Sequence, residues 1–188
     1  YTYHTAWAAR ILAELRPNYH VDISSALYFS TIISAFLPVK YYEFRQPNLS
    51  LNNFEAYSTD LVNLPFSDNS IESLSCMHVV EHLGLGRYGD KLDSDADLKA
   101  IRELKRVLAI GGTLLFVVPI GKARIQFNAH RIYSYEQIAD CFSDLLLREF
   151  SLIPDNAIQE GMIYNATSDD SDNQIWGCGC FQFEKSKN

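Results

Sequence analysis

The chain has 188 residues, 47% of them hydrophobic and 13% aromatic, with a formal net charge of −7. That length affords a two- or three-layer core in one domain, and no apolar run is long enough to span a membrane. The acidic balance excludes a general nucleic-acid binder, because neutralising phosphates needs a basic face. No basic segment leads into an apolar one as in a secretion signal, so a cytoplasmic protein with reduced thiols is expected. The chain opens at Tyr1 rather than Met, as a trimmed piece of a longer protein would.

In chain order, Thr5 to Leu15 reads as a short amphipathic helix stopped by Pro17. Tyr19 to Ile23 is a short apolar strand, and Ala26 to Phe36 a buried helix closed by Pro38, which cannot continue it. Val39 to Phe44 alternates aromatic and polar residues as a second strand, and Asn52 to Tyr57 is a weaker third. After a turn from Asp60 to Phe66, Ser70 onward forms a fourth strand. Leu98, Ile101, Leu104, Val107 and Leu108 then follow a helical period. Ser94, Asp95 and Asp97 cluster where the first N–H groups of that helix need acceptors, and Gly111 stands where a left-handed C-cap belongs. Thr113 to Val118 lacks polar alternation, so both faces of that strand are expected to be covered. Ser134 to Phe142 is a further helix with Ser134 as N-cap and Glu136 or Gln137 near the box position. Leu145 to Ile153 and Ile175 to Glu184 close the chain as strands, separated by a polar segment, Asn165 to Asn173, that should be exposed or partly disordered.

This alternation predicts an α/β fold: a three-layer, doubly wound, mostly parallel sheet with an antiparallel hairpin at its C-terminal edge. Residues 1–18 form a helical extension and 19–188 the core of a single domain. In such sheets a ligand sits beyond the carboxyl ends of the strands. Asp22, Glu43, Asp60, His78 and Pro119 all fall at such ends.

The words Ser70 to His82, Leu98 to Leu108 and Gly111 to Pro119 resemble the second half of the class I S-adenosylmethionine-dependent methyltransferases, and the resemblance runs from about Tyr19 to Glu184. The family's Asp-x-Gly-x-Gly-x-Gly turn falls on Asp22-Ile23-Ser24-Ser25-Ala26-Leu27-Tyr28. Glycine there allows positive φ and close approach to the ligand. Ser24 and Ala26 are small, but Tyr28 is not, and its ring in the cleft would exclude the nucleoside. An ordinary strand-to-helix turn capped by Ser24 or Ser25 is the competing reading.

The resemblance implies S-adenosylmethionine as cofactor, with Asp22 and Ser24 at its amino-acid part. Glu43 would accept the ribose hydroxyls, unless Arg45 holds it in a surface pair. Asp60 would reach the adenine amino group, unless it caps its own turn. Cys76, Met77 and His78 would line the pocket near the sulfonium, with core packing the alternative for Met77. Glu81-His82 matches a pair that many small-molecule methyltransferases carry, with His82 either a general base or a loop anchor. His130, Asn128, Arg131 and Tyr133 offer donors to a polar substrate, or else form a structural loop. Gly84 to Asp90 has the glycine content of a lid but not the spacing of a phosphate loop.

Two further patterns are present. His78-x-x-Glu81-His82 fits the inverted zinc-protease motif, although His78 ends a strand and Leu83-Gly84 interrupts any helix. Cys178 and Cys180 share one face of a strand, where packing competes with metal or redox work. Finally, His4 to Arg10, Val21 to Ser25, His78 to Asp90 and Phe127 to Tyr133 together resemble a methyltransferase-related family of unknown function first catalogued in nematodes, which supplies no substrate. The expected function is methyl transfer to a small polar acceptor, a sugar or metabolite hydroxyl, with no resident metal and no nucleic-acid or membrane partner. A binding or regulatory module of the same fold, and a zinc hydrolase, are the alternatives.

Overall fold

The computed structural model describes residues 1–87, 89–126 and 129–187. The elements are α1 (Thr2–Leu15), β1 (His20–Ile23), α2 (Leu27–Ile33), β2 (Val39–Glu43), β3 (Phe54–Ser58) and β4 (Ile71–Met77). A short 3-10 turn (Val80–His82) precedes α3 (Ala96–Val107) and β5 (Leu108–Ile120). Then come β6 (Arg124–Gln126), β7 (His130–Ile132), α4 (Tyr135–Cys141), β8 (Leu146–Ile153), α5 (Ala157–Glu160), α6 (Ser168–Asp172) and β9 (Gly177–Glu184).

The described residues build a seven-stranded sheet in the order β3-β2-β1-β4-β5-β9-β8. The first five are parallel, and β9 runs antiparallel to both β5 and β8. The doubly wound sheet with a C-terminal hairpin is therefore present, with the reversed strand one place in from the edge. Leu114, Phe116 and Val118 of β5 face a core shared with Ile101, Leu104, Ile138 and Phe142 of the α3/α4 layer. Leu115 and Val117 face the other way, against Trp7, Leu12, Phe29 and Ile33 of the α1/α2 layer. Two covered faces explain the uninterrupted apolar run, and each buried large side chain contributes roughly 1.5–3 kcal/mol. Trp7 also donates its indole N–H to Glu149 on β8 at 2.9 Å, tying α1 across the sheet.

Four local expectations are corrected. Helix α3 passes directly into β5 at Leu108 (φ −62, ψ 125), so Gly111 (φ +80) serves an irregularity in the β4/β5 register rather than a helix cap. Leu98 is 39% exposed, leaving Ala100, Ile101, Leu104 and Val107 as the buried stripe. The segment around 165–173 holds α6, nucleated by a reciprocal capping box between Thr167 and Asp170. Arg124–Gln126 and His130–Ile132 pair antiparallel as a small separate sheet. The Ser134 cap with Gln137 as its box partner is found as expected. Of the glycine-rich segment, Tyr88 lies outside the described residues. Gly84 (φ +72) packs so closely on Asp93 that a Cβ there would stand 1.9 Å from its carbonyl oxygen. No helix among the described residues is long and apolar enough to cross a membrane.

A buried polar column runs through the α1/α2 face. Ser75 Oγ donates to Asp22 Oδ1 at 2.7 Å, and Ser30 Oγ donates to Oδ2. The Ser75 proton being so used, its oxygen accepts from His20 Nε2 at 2.9 Å, and Ser73 hydrogen-bonds Nδ1 at 2.8 Å. Burial pushes Asp22 up to about 6, against the opposing hydrogen bonds of Ser25, Ser30 and Ser75. Burial pushes His20 down to about 3.

The two groups act oppositely on stability. Folded Asp22 holds its proton more tightly than the unfolded chain, so its contribution is present at low pH and fades as pH rises from 3.8 to about 6. Folded His20 resists protonation, so its contribution is present above 6.5 and fades as pH falls towards about 3. Asp22→Asn removes the first effect alone. Its stability should climb more steeply across the shared window than that of the wild type, by roughly 3 kcal/mol over the range, in urea denaturation at stepped pH. Parallel slopes for the two proteins would show that Asp22 is not held protonated by burial.

Candidate active site

The carboxyl ends of β1, β2 and β4 are stitched together by hydrogen bonds. Ser24, just past β1, takes the left-handed backbone conformation (φ +56) and donates its N–H to Tyr42 O at 2.7 Å. Ser25 Oγ accepts from Met77 N at 3.1 Å, and Ser25 O accepts from the Tyr41 hydroxyl at 3.0 Å. The same hydroxyl stands 3.4 Å from Glu43 Oε2, while Oε1 accepts from Phe44 N at 2.8 Å. Thr59 N donates to Glu43 O at 3.1 Å, bringing the Asp60 turn alongside. The Thr59 hydroxyl is buried with no hydrogen-bond partner. Asp60 Oδ1 accepts from Val62 N at 3.1 Å, closing its turn. Leu64 within that turn is anchored to α3 through Glu103 and Arg106.

Ser24, Glu43, Asp60 and His78 are thus grouped at neighbouring strand ends. Asp22 and Cys76 are not. Asp22 is fully buried, its carboxylate turned under α2 onto Ser30 and Ser75, so it buttresses the turn instead of facing a ligand. Cys76 points into the α3-side core, where burial pushes its thiol well above the usual range. Tyr28 is 46% exposed on the outer face of α2 with Ile32.

Beyond β4, His78 also has left-handed backbone (φ +59). Glu81 is buried, and its Oε1 lies 3.0 Å from His78 Nδ1 and 3.7 Å from His82 Nε2, while Oε2 has no partner. The zinc-protease pattern is therefore not realised as two histidines on one helical face: Glu81 stands between them, and His82 Nδ1 bonds Ala129 O at 2.8 Å. His130 meets His82 edge-on at 6.0 Å and stacks on Trp176 at 4.9 Å. Burial, then the neighbouring His82, lowers its pKa, and its Nε2 is buried without a partner.

Arg131 and Tyr133 are structural rather than substrate-facing. Arg131 is 6% exposed, pairs with Asp97 at 3.2 Å, and donates to Leu83 O and Ser94 O at 2.7 and 3.0 Å. The Tyr133 hydroxyl donates to the same carboxylate at 2.9 Å, and burial followed by that charge pushes its pKa up. Asn128, expected among the substrate donors, lies outside the described residues.

The sequence reading missed a contact between distant segments. His78 Nε2 stands 3.3 Å from Cys178 Sγ, and the His4 ring meets His78 edge-on at 4.9 Å. A hydrogen bond from Cys180 holds Cys178 well below the usual thiol range against its desolvation, with His4 and His78 adding to the effect. Burial opposes the charged form of His78, but Cys178 and then Glu81 push it up to about 10. The one sequence signal was a pair of alternate cysteines on the last strand.

This sheet order, with its reversed strand, is the fold of the class I S-adenosylmethionine-dependent methyltransferases. Residues 50–159 match a Caenorhabditis protein family of unknown function, DUF268, and the chain belongs to that family. Among solved structures, it is similar to a candidate methyltransferase of Haloferax volcanii in complex with the Trm112 methyltransferase activator (TM-score 0.65, 16% identity, covering 99% of this chain and 90% of that one). It is also similar to 1,6-didemethyltoxoflavin-N1-methyltransferase of Burkholderia thailandensis with bound 1,6-didemethyltoxoflavin and S-adenosylhomocysteine (TM-score 0.68, 10% identity, covering 98% and 79%). The [4+2]-cyclase SpnF matches as well (TM-score 0.66, 12% identity, covering 98% and 81%). Comparison with curated proteins gives no match.

Removing Arg131 would leave the Asp97 carboxylate buried with Tyr133 as its remaining donor. Arg131→Ala should cost about 3 kcal/mol in urea denaturation, and Tyr133→Phe about 1 kcal/mol. Wild-type stability in Arg131→Ala would return Arg131 to the substrate side.

Proposed function

We propose that this protein is an S-adenosylmethionine-dependent methyltransferase acting on a small polar acceptor, a sugar or metabolite hydroxyl. The observation that carries the reading is the left-handed backbone of Ser24, joined through Ser25 and the Tyr41 hydroxyl to Glu43. The turn keeps the shape that glycine usually supplies, although serine occupies it. The unpartnered Thr59 hydroxyl beside Glu43 further suits a polar ligand at this edge.

In this reading the backbone of Ser24 to Ala26 receives the amino-acid part of the cofactor. Glu43 accepts the two ribose hydroxyls, a vicinal diol matching a carboxylate's two oxygens. The Asp60 turn faces the adenine, and His78 borders the reacting end. The bound cofactor supplies a methyl group on a sulfonium, which leaves as a neutral thioether when the acceptor oxygen attacks. Positioning is the main task of the protein in such a step, so few residues are obligatory. His82 takes the acceptor proton on Nε2, which lies 3.7 Å from the buried Glu81 carboxylate, because Nδ1 is engaged with Ala129 O. His130 lies beside it and faces the acceptor.

The loss of the family's glycines and the internal use of Asp22 support a second reading, a ligand-binding module of the same fold without methyl transfer. Calorimetric titration with S-adenosylmethionine and S-adenosylhomocysteine separates the two. Binding of both is expected, and Glu43→Ala should weaken it about 10- to 100-fold, as for a lost hydrogen bond to a charged group. Unchanged affinity in that variant sinks the ribose assignment, and no binding of either nucleoside sinks the enzymatic reading.

A further inference from the structure

The His4, His78 and Cys178 contact has the makings of a site of its own. Each residue offers one ligand atom, and these atoms all lie within 4.8 Å of one another. They come from three remote segments: α1, the end of β4 and the start of β9. We propose that His4, His78 and Cys178 bind one zinc ion. This inference goes beyond the methyltransferase reading and does not depend on it.

One pair of ligand atoms already has the spacing the ion needs, and the third lies near enough to close on it. Bonds of about 2.0 Å to nitrogen and 2.3 Å to sulfur at tetrahedral angles put ligand atoms roughly 3.3–3.6 Å apart. His78 Nε2 and Cys178 Sγ are 3.3 Å apart. A second observation is independent of that spacing. His4 is 1% exposed, and its Nδ1 is buried with no hydrogen-bond partner. A buried imidazole with an idle nitrogen is costly unless something engages the ring.

The third observation concerns orientation. The buried Glu81 carboxylate stands 3.0 Å from His78 Nδ1, which favours a proton there, so that a metal displacing the Nε2 proton meets a lone pair facing Cys178. Carboxylate, histidine and metal in line is the usual way a ligating imidazole is held. Two imidazoles and a thiolate form a borderline-soft donor set, suited to zinc and unsuited to calcium or magnesium. His82 is no part of this set, because its Nδ1 is committed to Ala129 O. Cys180 is fully buried in the core. Three protein ligands leave one tetrahedral position for water or for a donor atom of an acceptor.

The test uses the full chain, reduced and stripped of metal with a chelator, then titrated with cobalt(II) as a spectroscopic stand-in for zinc. One equivalent should produce the visible bands of four-coordinate cobalt together with a near-ultraviolet thiolate-to-cobalt band, and added zinc should erase both. Cys178→Ser should abolish the thiolate band, whereas Cys141→Ser should leave it intact. Glu81→Gln should keep the band but weaken metal affinity about 10- to 100-fold. Zinc should also raise the melting temperature of the wild type and not that of His4→Ala, which covers the case in which Cys178→Ser fails to fold. The proposal is overturned if folded wild type shows no thiolate band, if the band survives Cys178→Ser, or if zinc shifts both melting temperatures alike. Titration with S-adenosylhomocysteine in chelator reports on the cofactor site separately.

Discussion

The burial of the Asp22 carboxylate inside the sheet is the interaction on which the rest of the architecture depends. An isolated carboxylate there would be prohibitively desolvated, so its oxygens must find donors. Ser30 supplies one from α2 and Ser75 the other from β4. The helix and the neighbouring strand are thereby fixed relative to β1, and the chain between β1 and α2 has little freedom left. Ser24 takes positive φ in that short connection, at a cost of roughly 1–2 kcal/mol for a residue with a Cβ. Its N–H bond to Tyr42 O offsets part of that cost. The acidic residue of the turn thus acts from beneath, shaping the backbone that would meet a ligand.

The opposite layer is organised by a comparable device. Asp97 on α3 gathers Arg131 and Tyr133, and Arg131 in turn clasps the carbonyls of Leu83 and Ser94. Glu103 and Arg106 on the same helix hold the turn that follows Asp60. The loops that border the strand ends are therefore anchored to one helix by buried or half-buried charges. The imidazoles of His82 and His130 are left between two such anchors, meeting edge-on, with His82 Nδ1 on Ala129 O and its Nε2 towards Glu81.

Much of this was legible in the sequence, for reasons that particular elements make plain. The β5 run without polar alternation implies helices on both faces, and α3 carries a helical stripe that no strand could satisfy. The Ser134 cap announced itself through Gln137. The direction of Asp22, expected at the cofactor, was not legible, since the layer that Val21 and Ile23 face is decided by packing. Nor were its hydroxyl partners, because Ser30 and Ser75 become neighbours through tertiary structure alone. The same holds for Arg131 and Tyr133, polar residues in a loop-like stretch that gain their partner on α3. The Thr167 box was missed because α6 is too short and too acidic to show an apolar period. His4 and Cys178 could not be joined by any spacing rule, as nothing local links α1 to β9.

His78 ties these strands of argument together. A non-glycine residue with left-handed backbone at a strand end needs surroundings that hold it there. Here its N–H donates to Val117 O at 2.8 Å, continuing the β4/β5 ladder one residue past the strand. The turn redirects its side chain away from the sheet axis towards α1 and β9, where His4 and Cys178 meet it. The following 3-10 turn then brings Glu81 back against its other nitrogen and sends His82 towards the β6/β7 sheet. One backbone conformation thus divides the space beyond β4 in two. The histidine–cysteine cluster lies on the α1 side, and the paired histidines 82 and 130 lie on the side of the β6/β7 sheet. The proposed methyl-transfer and metal sites share a wall made by a single residue, so the geometry of either is sensitive to what occupies the other.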